Sequence, residues 1–413
     1  MNRPSLYGLS AQAAGLHPEV WASYVLENRP CIIDNHYMIP ATGAITLDGG
    51  RVVEGILLAA DFGNDAFKLV VRSRTTQALT CLHVPATYQP AATISYGVQV
   101  ESWQERQAPE LAPLSEEFCI GEEAAHGDSL PVGPTDQRLN EPRSARFLKA
   151  CLVKALSAAG YAPGHYSLSM SLGLRNEEIA EKSILPQTRE AMQQLKRPFA
   201  MLHRDSGGRV EEWTITIGEI FPYPQTFGTF FALDTNLSGR SVLTNYLSFV
   251  IVDLGGYDSH AMEVERRGRG VSAVGRRFVD GTIAVARALA TELKKPEHYP
   301  LLGELSEQQG QQVLITGQVL YGGQWLDVSP LVRQIKESRG GHLLSTMLSR
   351  YQKASSYFVF TGGGSILLAD EIRQRMADMQ RSRDMYMILD PAIAPVANCI
   401  GLYGLLNIRK RPR

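Results

Sequence analysis

One arrangement occurs twice in this sequence, at two distant places: an apolar strand, an aspartate, a turn that contains glycine, and a second strand. In Ser248–Glu263 the run Phe249–Val252 leads to Asp253, and Gly255 and Gly256 follow in the turn. Such a run of β-branched and aromatic residues is typical of a buried strand. Glycines beside a carboxylate let backbone N–H groups approach an anion while the carboxylate attends a metal ion. Taken alone, the stretch fits an ordinary hairpin equally well.

The second copy makes the phosphate interpretation the better one. Gly55–Ser73 is again an apolar strand, an aspartate (Asp61), a turn with Gly63 and a returning apolar strand. We interpret the two copies as turns that approach a phosphate chain from opposite sides. A third stretch, Ser356–Met376, contains a strand, three glycines and the start of an amphipathic helix. Glycines ahead of a helix allow close approach of a ligand, and a helix N-terminus favours negative charge.

These three stretches, in this order, are similar to the phosphate-1, phosphate-2 and adenosine motifs of the actin, heat-shock ATPase and sugar-kinase superfamily. Within it, the chain most resembles the bacterial actin-like filament proteins of plasmid segregation (ParM/StbA-like), over residues 55 to the C-terminus. The resemblance implies an α/β, two-domain actin-like (ribonuclease-H-like) fold with a nucleotide cleft between the domains. It also implies domain I at 55–162 with a variable insert at 85–145, domain II at 163–385, and a return to domain I with a basic tail at 386–413.

Residues 1–54 precede the resemblance. Leu47-Asp48-Gly49-Gly50 is a strong hairpin signal, so we expect an extra strand or hairpin added to domain I. A subunit contact in a filament is the alternative role for this extension.

The resemblance implies ATP or GTP with Mg²⁺ as ligands. Asp61 and Asp253 are the expected magnesium residues, and Lys68 is expected to reach the β-phosphate. Lys68 is seven residues after Asp61, so the strand period alone places the two on opposite faces and the turn must re-aim one of them. The remaining nucleotide-binding residues implied are Gly63, Asn64, Gly255, Gly256, Tyr257, Gly362, Gly363 and Gly364.

Three residues are expected to act in catalysis: Gln225, His260 and Asp253. Gln225 matches the family position that orients the attacking water, and a neutral amide aligns water but is a poor base. A turn glutamine before a helix is the alternative for Gln225. His260 is either a weak base near the water or a strand residue bonded to the neighbouring hairpin.

Two positions depart from the family pattern. Asp258 stands where the phosphate-2 turn usually has threonine, which adds negative charge near phosphate. In the phosphate-1 turn, Phe62 and Asn64-Asp65 replace the usual small residues.

Composition limits the other classes of protein. The 413 residues have a formal net charge of −1, so nothing predicts direct nucleic-acid binding. Five scattered cysteines without a C-x-x-C pair indicate reduced thiols. No apolar run approaches the ~20 residues of a membrane helix, and the N-terminus lacks a signal-peptide pattern. We therefore expect a cytoplasmic protein.

The sequence thus predicts an actin-like ATPase or GTPase that forms nucleotide-dependent filaments, with itself and a DNA-binding adaptor as partners. A small-molecule kinase of the same superfamily is one alternative, although no separate acidic motif for it is visible. A non-hydrolysing actin-like scaffold is the other, because of Phe62 and Asp258.

Overall fold

The protein is described by a computed structural model. It describes residues 20–22, 44–47, 51–63, 66–74, 79–91, 100–106, 116–121, 124, 130–131, 139, 141–175, 178–180, 183–234, 248–267, 270–278, 280–295, 297–299, 303, 305–353, 355–389 and 394–410.

The strands are β1 (Val20–Ala22), β2 (Ala44–Leu47), β3 (Arg51–Phe62), β4 (Ala66–Arg72), β5 (Leu79–Pro85), β6 (Thr87–Pro90), β7 (Ser102–Arg106), β8 (Phe118–Ile120), β9 (Leu130–Pro131), β10 (His165–Leu174), β11 (Ile179–Ala180), β12 (Ser183–Ile184), β13 (Phe199–Arg204), β14 (Val210–Pro224), β15 (Ser248–Leu254), β16 (Ser259–Arg267), β17 (Gly270–Phe278), β18 (Gln318–Tyr321), β19 (Gln324–Asp327), β20 (Ser356–Thr361) and β21 (Tyr386–Ile388).

The helices are α1 (Pro142–Ala158), α2 (Pro186–Leu195), α3 (Gln225–Asp234), α4 (Thr282–Leu293), α5 (Glu307–Thr316), α6 (Ser329–Ile335), α7 (Gly341–Leu348), α8 (Gly363–Leu367), α9 (Ala369–Asp378) and α10 (Ala397–Lys410), with a π turn at Lys336–Gly340 and a 3₁₀ turn at Arg383–Met385. None of the helices in the described ranges is long and apolar enough to span a membrane.

The chain divides into two compact units. The larger unit comprises Glu19–Val242 and Asn398–Arg413, and the smaller unit comprises Leu243–Ala397. In the described residues the larger unit contains a sheet of twelve strands, in the order β1-β5-β4-β3-β10-β14-β13-β7-β8-β6-β9 with β2 paired to β3. The smaller unit contains a sheet in the order β17-β16-β15-β20-β21.

The two sheets share one arrangement around a central strand. In the larger unit, β3 pairs antiparallel with β4, which pairs antiparallel with β5, while β10 and β14 follow in parallel on the other side of β3. In the smaller unit, β15, β16, β17, β20 and β21 occupy the same places with the same directions. The two copies seen in the sequence are therefore equivalent hairpins of two sheets with the same topology.

This division differs from the expected boundaries at 163 and 386. Residues 163–242 lie in the larger unit because β10 pairs with β3, and β14 pairs with β10. The smaller unit ends at Ala397, so the chain returns to the larger unit at Asn398.

The expected extension adds two short strands to the larger sheet. β1 pairs antiparallel with β5, and β2 forms a hairpin with β3 in which Leu47 is opposite Arg51. The first strand of the expected phosphate-1 motif therefore begins at Arg51 rather than at Gly55.

Both central strands are buried, as expected of strands with packed elements on both faces. All seven residues of β15 are buried, and β3 is buried from Ile56 to Phe62. Helix α1 packs on the larger sheet through Phe147, whose ring lies 6.4 Å from Phe62 and 6.0 Å from Phe67 between centroids.

A network of ionisable side chains connects α1 and β13 to Glu101, the residue directly before β7. Glu101 Oε2 is 2.7 Å from Lys154 Nζ, and Glu101 Oε1 is 2.7 Å from His203 Nε2. Burial raises the pKa of Glu101, but the hydrogen bond to His203 and the positive charge of Lys154 outweigh this effect and lower the pKa to about 2. Because the depressed pKa belongs to the folded state, the network stabilises the fold above pH 4.5 and is lost as the pH falls towards 2.

Replacing Glu101 with glutamine removes the charge that this network requires. We expect Glu101→Gln to lower the free energy of unfolding by about 1–3 kcal/mol at pH 7, measured by urea denaturation. The loss of stability between pH 4.5 and 2 should also become shallower than in the wild type. Glu212→Gln is the control. Glu212 Oε2 lies 3.9 Å from Arg106 Nη1 in a more exposed ion pair, so this variant should change the free energy of unfolding by less than about 0.5 kcal/mol. Equal effects of the two variants would contradict the assignment.

Candidate functional site

In the larger unit, Asp61 lies near the end of β3 and is directly opposite Lys68 on β4. Directly opposite residues of an antiparallel pair share a face, so the turn brings Asp61 and Lys68 to one face, as the role expected of Lys68 required. The strand period counts along one strand, whereas the chain reverses direction between these residues. Lys68 Nζ is 3.8 Å from Asp61 Oδ2, and both side chains are largely buried.

The row of paired residues continues on both sides of Asp61. On β5, His83 is opposite Lys68; burial first, and the charge of Lys68 second, hold the pKa of His83 well below its ordinary value. On β10, Gly173 is opposite Asp61, and a Cβ at Gly173 would lie 3.2 Å from Asp61 Oδ1. A larger residue at 173 would therefore crowd the carboxylate.

Phe62 departs from the family pattern without entering this row. Adjacent residues of a strand alternate between faces, so Phe62 lies on the face opposite to Asp61. There its ring packs 5.0 Å from that of Phe67. The aromatic pair packs at the base of the turn, on the face opposite to Asp61. Asn64 and Asp65, the other departures, lie outside the described residues.

Gln225 is buried and is the first residue of α3, directly after β14. On β14, Tyr223 is opposite Gly173, which is itself opposite Asp61. Since parallel strands bring their carboxyl ends to the same edge of a sheet, Asp61 and the start of α3 share that edge. Gln225 therefore lies at the same edge of the sheet as Asp61, at the beginning of the first turn of α3.

Helix α3 is held by a close contact with α10. A Cβ at Gly401 would lie 1.7 Å from the carbonyl oxygen of Gly228, and a Cβ at Gly228 would lie 2.0 Å from that of Asn398. The backbones thus touch without side chains between them. One residue along, Thr229 Oγ1 donates to Asn398 Oδ1 at 2.6 Å.

In the smaller unit, Asp253 has the same position on β15 as Asp61 on β3. It is buried, directly opposite His260 on β16 and Thr361 on β20. His260 is therefore the counterpart of Lys68 in the second sheet. His260 lies in strand β16, and the register places it beside the aspartate.

The turn after Asp253 supports the start of α4. The backbone N–H of Thr282 donates to Gly255 O at 3.0 Å, and that of Ile283 donates to Gly256 O at 2.8 Å. A Cβ at Gly281 would lie 2.2 Å from Gly256 O. The first N–H groups of α4, which have no partner within a helix, are thus satisfied by the glycine turn.

Asp258 lies in this turn and is buried. Its Oδ2 is 3.5 Å from His260 Nε2. The negative charge that replaces the usual threonine therefore has an imidazole beside it, within the same turn.

All three glycines after β20 were expected to precede the helix, but only the first of them does. Gly362 precedes α8, while Gly363 and Gly364 lie inside it. Gly362 has φ +82, and a Cβ there would lie 2.3 Å from Asp253 Oδ1. A Cβ at Gly364 would lie 2.7 Å from Leu254 O. Packing against the end of β15 therefore requires glycine at 362 and 364 whether or not a ligand is present.

The residues fit a magnesium ion that keeps most of its waters and has few direct protein ligands. Among the described residues, no three or more His, Cys, Asp or Glu side chains form a cluster that holds a metal. Mg²⁺ commonly keeps its waters and uses one or two carboxylates with substrate phosphates. Asp61 in the larger unit and Asp253 in the smaller unit each lie near the end of a central strand and carry the ligand type that such binding uses.

The structure brings Asp61, Gly63 and Lys68 together in the larger unit, and Asp253, the glycine turn and His260 together in the smaller one. It adds four neighbours of these residues that were not among the expected site residues: His83, Gly173, Gly281 and Thr282. A lone glycine in an alternating strand was the only sequence signal for Gly173. The others follow from register and helix docking, which the sequence does not display.

Comparison with known proteins identifies the fold. No protein-family model matches the sequence, and no curated protein matches it. An archaeal actin homologue matches the structure with a TM-score of 0.62 at 14% identity, over 85% of this chain and 98% of that chain. The actin-like protein Alp7A matches with a TM-score of 0.64 at 12% identity, over 86% and 97%. Bacillus thuringiensis ParM with ADP matches with a TM-score of 0.60 at 12% identity, over 86% and 99%.

The packing at Gly362 gives a testable prediction. Gly362→Ala puts a methyl group against Asp253 at a positive φ, so we expect a loss of about 2–4 kcal/mol in the free energy of unfolding, measured by urea denaturation. Gly341→Ala is the control, because a Cβ there meets nothing within 4 Å and Gly341 is helical. It should be neutral or stabilising by up to about 1 kcal/mol. Similar results for the two variants would contradict the packing role.

Proposed function

We propose that this chain, which has the two-domain actin-like fold, is a nucleoside triphosphatase that polymerises into nucleotide-dependent filaments. We further propose that the filaments act in plasmid or DNA segregation through an adaptor protein, in the cytoplasm. One observation carries the proposal: two sheets of the same topology each end their central strand in a buried aspartate, Asp61 or Asp253, followed by a glycine turn.

The fold neighbours support nucleotide binding and polymerisation. Bacillus thuringiensis ParM and the archaeal actin homologue were each solved with ADP. Another match, to the pCBH ParM protein, is a variant described as non-polymerisable, with a TM-score of 0.60 and 14% identity. We extend these properties to this chain as part of the proposal.

Each unit contains residues that this proposal assigns to nucleotide binding. Lys68 and the turn at Gly63 and Asn64 neutralise phosphate charge from the larger unit, and the turn Gly255-Gly256-Tyr257 does so from the smaller unit. Gly362, Gly363 and Gly364 leave room for the nucleoside. Asp61 and Asp253 would hold Mg²⁺ through waters, and this ion would supply positive charge to the phosphates.

Two residues act on the attacking water. Gln225 aligns the water for in-line attack, and as a neutral amide it gives slow hydrolysis, which suits a filament whose turnover follows assembly. His260, beside Asp253, accepts a proton or passes it on.

Replacing Asp253 tests the proposal. Purified protein with ATP or GTP and Mg²⁺ should scatter light and pellet, with phosphate release after a delay. Asp253→Asn should lose both signals, with a fall of at least about tenfold in phosphate release. Asp370→Asn is the control, because that carboxylate is 90% exposed in the same unit; it should behave as the wild type.

Three results would contradict the proposal. Turnover only with an added small acceptor would indicate a kinase. Nucleotide binding without turnover would indicate a scaffold. Equal losses in the Asp253 and Asp370 variants would show that Asp253 has no special role.

A further inference from the structure

Thr226, the second residue of α3, contains a buried hydroxyl that the proposed mechanism does not yet use. Its side chain has no solvent exposure, and its Oγ1 has no hydrogen-bond partner among the residues that the structure describes. A buried hydroxyl without a partner is costly, because it gives up its hydrogen bonds to water. Native structures keep such groups mainly where a ligand, an ion or an ordered water completes them.

Thr229, one turn later on the same helix, is a buried threonine with a structural role and serves as the comparison. It is equally buried, and its Oγ1 donates to Asn398 Oδ1 at 2.6 Å. The two threonines share residue type, helix and burial. They differ in that Thr229 has a protein partner and Thr226 has none in the described part of the chain.

The position of Thr226 points to a ligand at the edge of the larger sheet. Thr226 follows Gln225 in the first turn of α3, which begins where β14 ends. The paired row from Asp61 through Gly173 to Tyr223 lies at this edge, and α/β sheets bind ligands at the carboxyl ends of their strands. First-turn N–H groups also lack partners within the helix.

The chemistry of the hydroxyl favours water as its partner. A threonine hydroxyl donates one hydrogen bond and accepts others. It can therefore serve as one of the two to four polar partners that a buried water needs. It carries no charge with which to neutralise a phosphate, a task that Lys68 is placed to perform. The adjacent amide of Gln225 offers a donor and an acceptor of its own.

We propose that the Thr226 hydroxyl is the second protein group that holds the attacking water, and that it acts together with Gln225 as a catalytic residue. This inference rests on the proposed triphosphatase activity. In the step concerned, the water oxygen forms a bond to the γ-phosphorus while the bond from that phosphorus to the β–γ bridging oxygen breaks. The nucleoside diphosphate leaves with the electron pair, and the proton of the water passes to the released phosphate or to solvent, directly or by way of His260.

Three variants of the full-length protein test the assignment. Thr226→Val removes the hydroxyl at nearly constant shape, Thr226→Ser keeps it, and Thr229→Val removes the hydroxyl that has a protein partner. Each variant is measured for melting temperature, for ATP binding by equilibrium dialysis, and for phosphate release at saturating ATP and Mg²⁺.

We expect Thr226→Val to melt at or above the wild-type temperature and to bind ATP normally, while its phosphate release falls by about tenfold or more. Thr226→Ser should restore most of the rate. Thr229→Val should melt at a lower temperature, because it loses a satisfied hydrogen bond.

Wild-type phosphate release in Thr226→Val would overturn the inference and leave the proposed function intact. A drop in melting temperature as large as that of Thr229→Val would also overturn it, since the hydroxyl would then have a partner within the protein. A wild-type protein that neither binds nor hydrolyses ATP or GTP would instead refute the proposed function, and the role of Thr226 with it.

Discussion

The central strand of each sheet has an antiparallel neighbour on one side and a parallel neighbour on the other, and the candidate residues take their positions from this pairing. The antiparallel partner brings Lys68 opposite Asp61 and His260 opposite Asp253. The parallel partner brings Gly173 or Thr361 to the other side. A buried carboxylate is costly unless a positive group or hydrogen bonds accompany it. Lys68, 3.8 Å from Asp61, meets that requirement in the larger unit.

The glycines of the smaller unit have two explanations that must be kept separate. Gly281, Gly362 and Gly364 each face backbone or carboxylate atoms at distances that exclude a Cβ. Close packing around the end of β15 therefore explains these glycines without a nucleotide. The argument for a phosphate site depends on Asp253 and on the glycine turn that follows it, in a topology shared with Asp61.

The sequence predicted the actin-like fold, because three motifs in order identify a topology even when each is weak. It also predicted that Asp61 and Asp253 lie near strand ends, since a strand followed by Asp and Gly is a local pattern. It required the turn to re-aim Lys68 or Asp61, but it did not predict that the two residues are directly paired, because pairing across a hairpin depends on register. The hydroxyl of Thr226, which has no partner among the described residues, could not be predicted for another reason: the hydrogen bonds of a buried group are known only once its neighbours are placed. Domain boundaries were expected at 163 and 386, whereas the compact units divide at 242 and 397. The first boundary differs because β10 pairs with β3, which keeps β10 in the larger unit.

The contact of Gly228 with Gly401 has a consequence for how this enzyme candidate tolerates change. Gln225 and Thr226 lie within one turn of Gly228, on a helix whose distance from α10 is set by main-chain atoms alone. Side chains elsewhere in the core can be exchanged without moving that contact, so such changes alter stability before they alter the geometry at the start of α3. The two glycines, with the hydrogen bond from Thr229 to Asn398, connect the start of α3 to the last helix, and any residue larger than glycine at 228 or 401 must separate the helices.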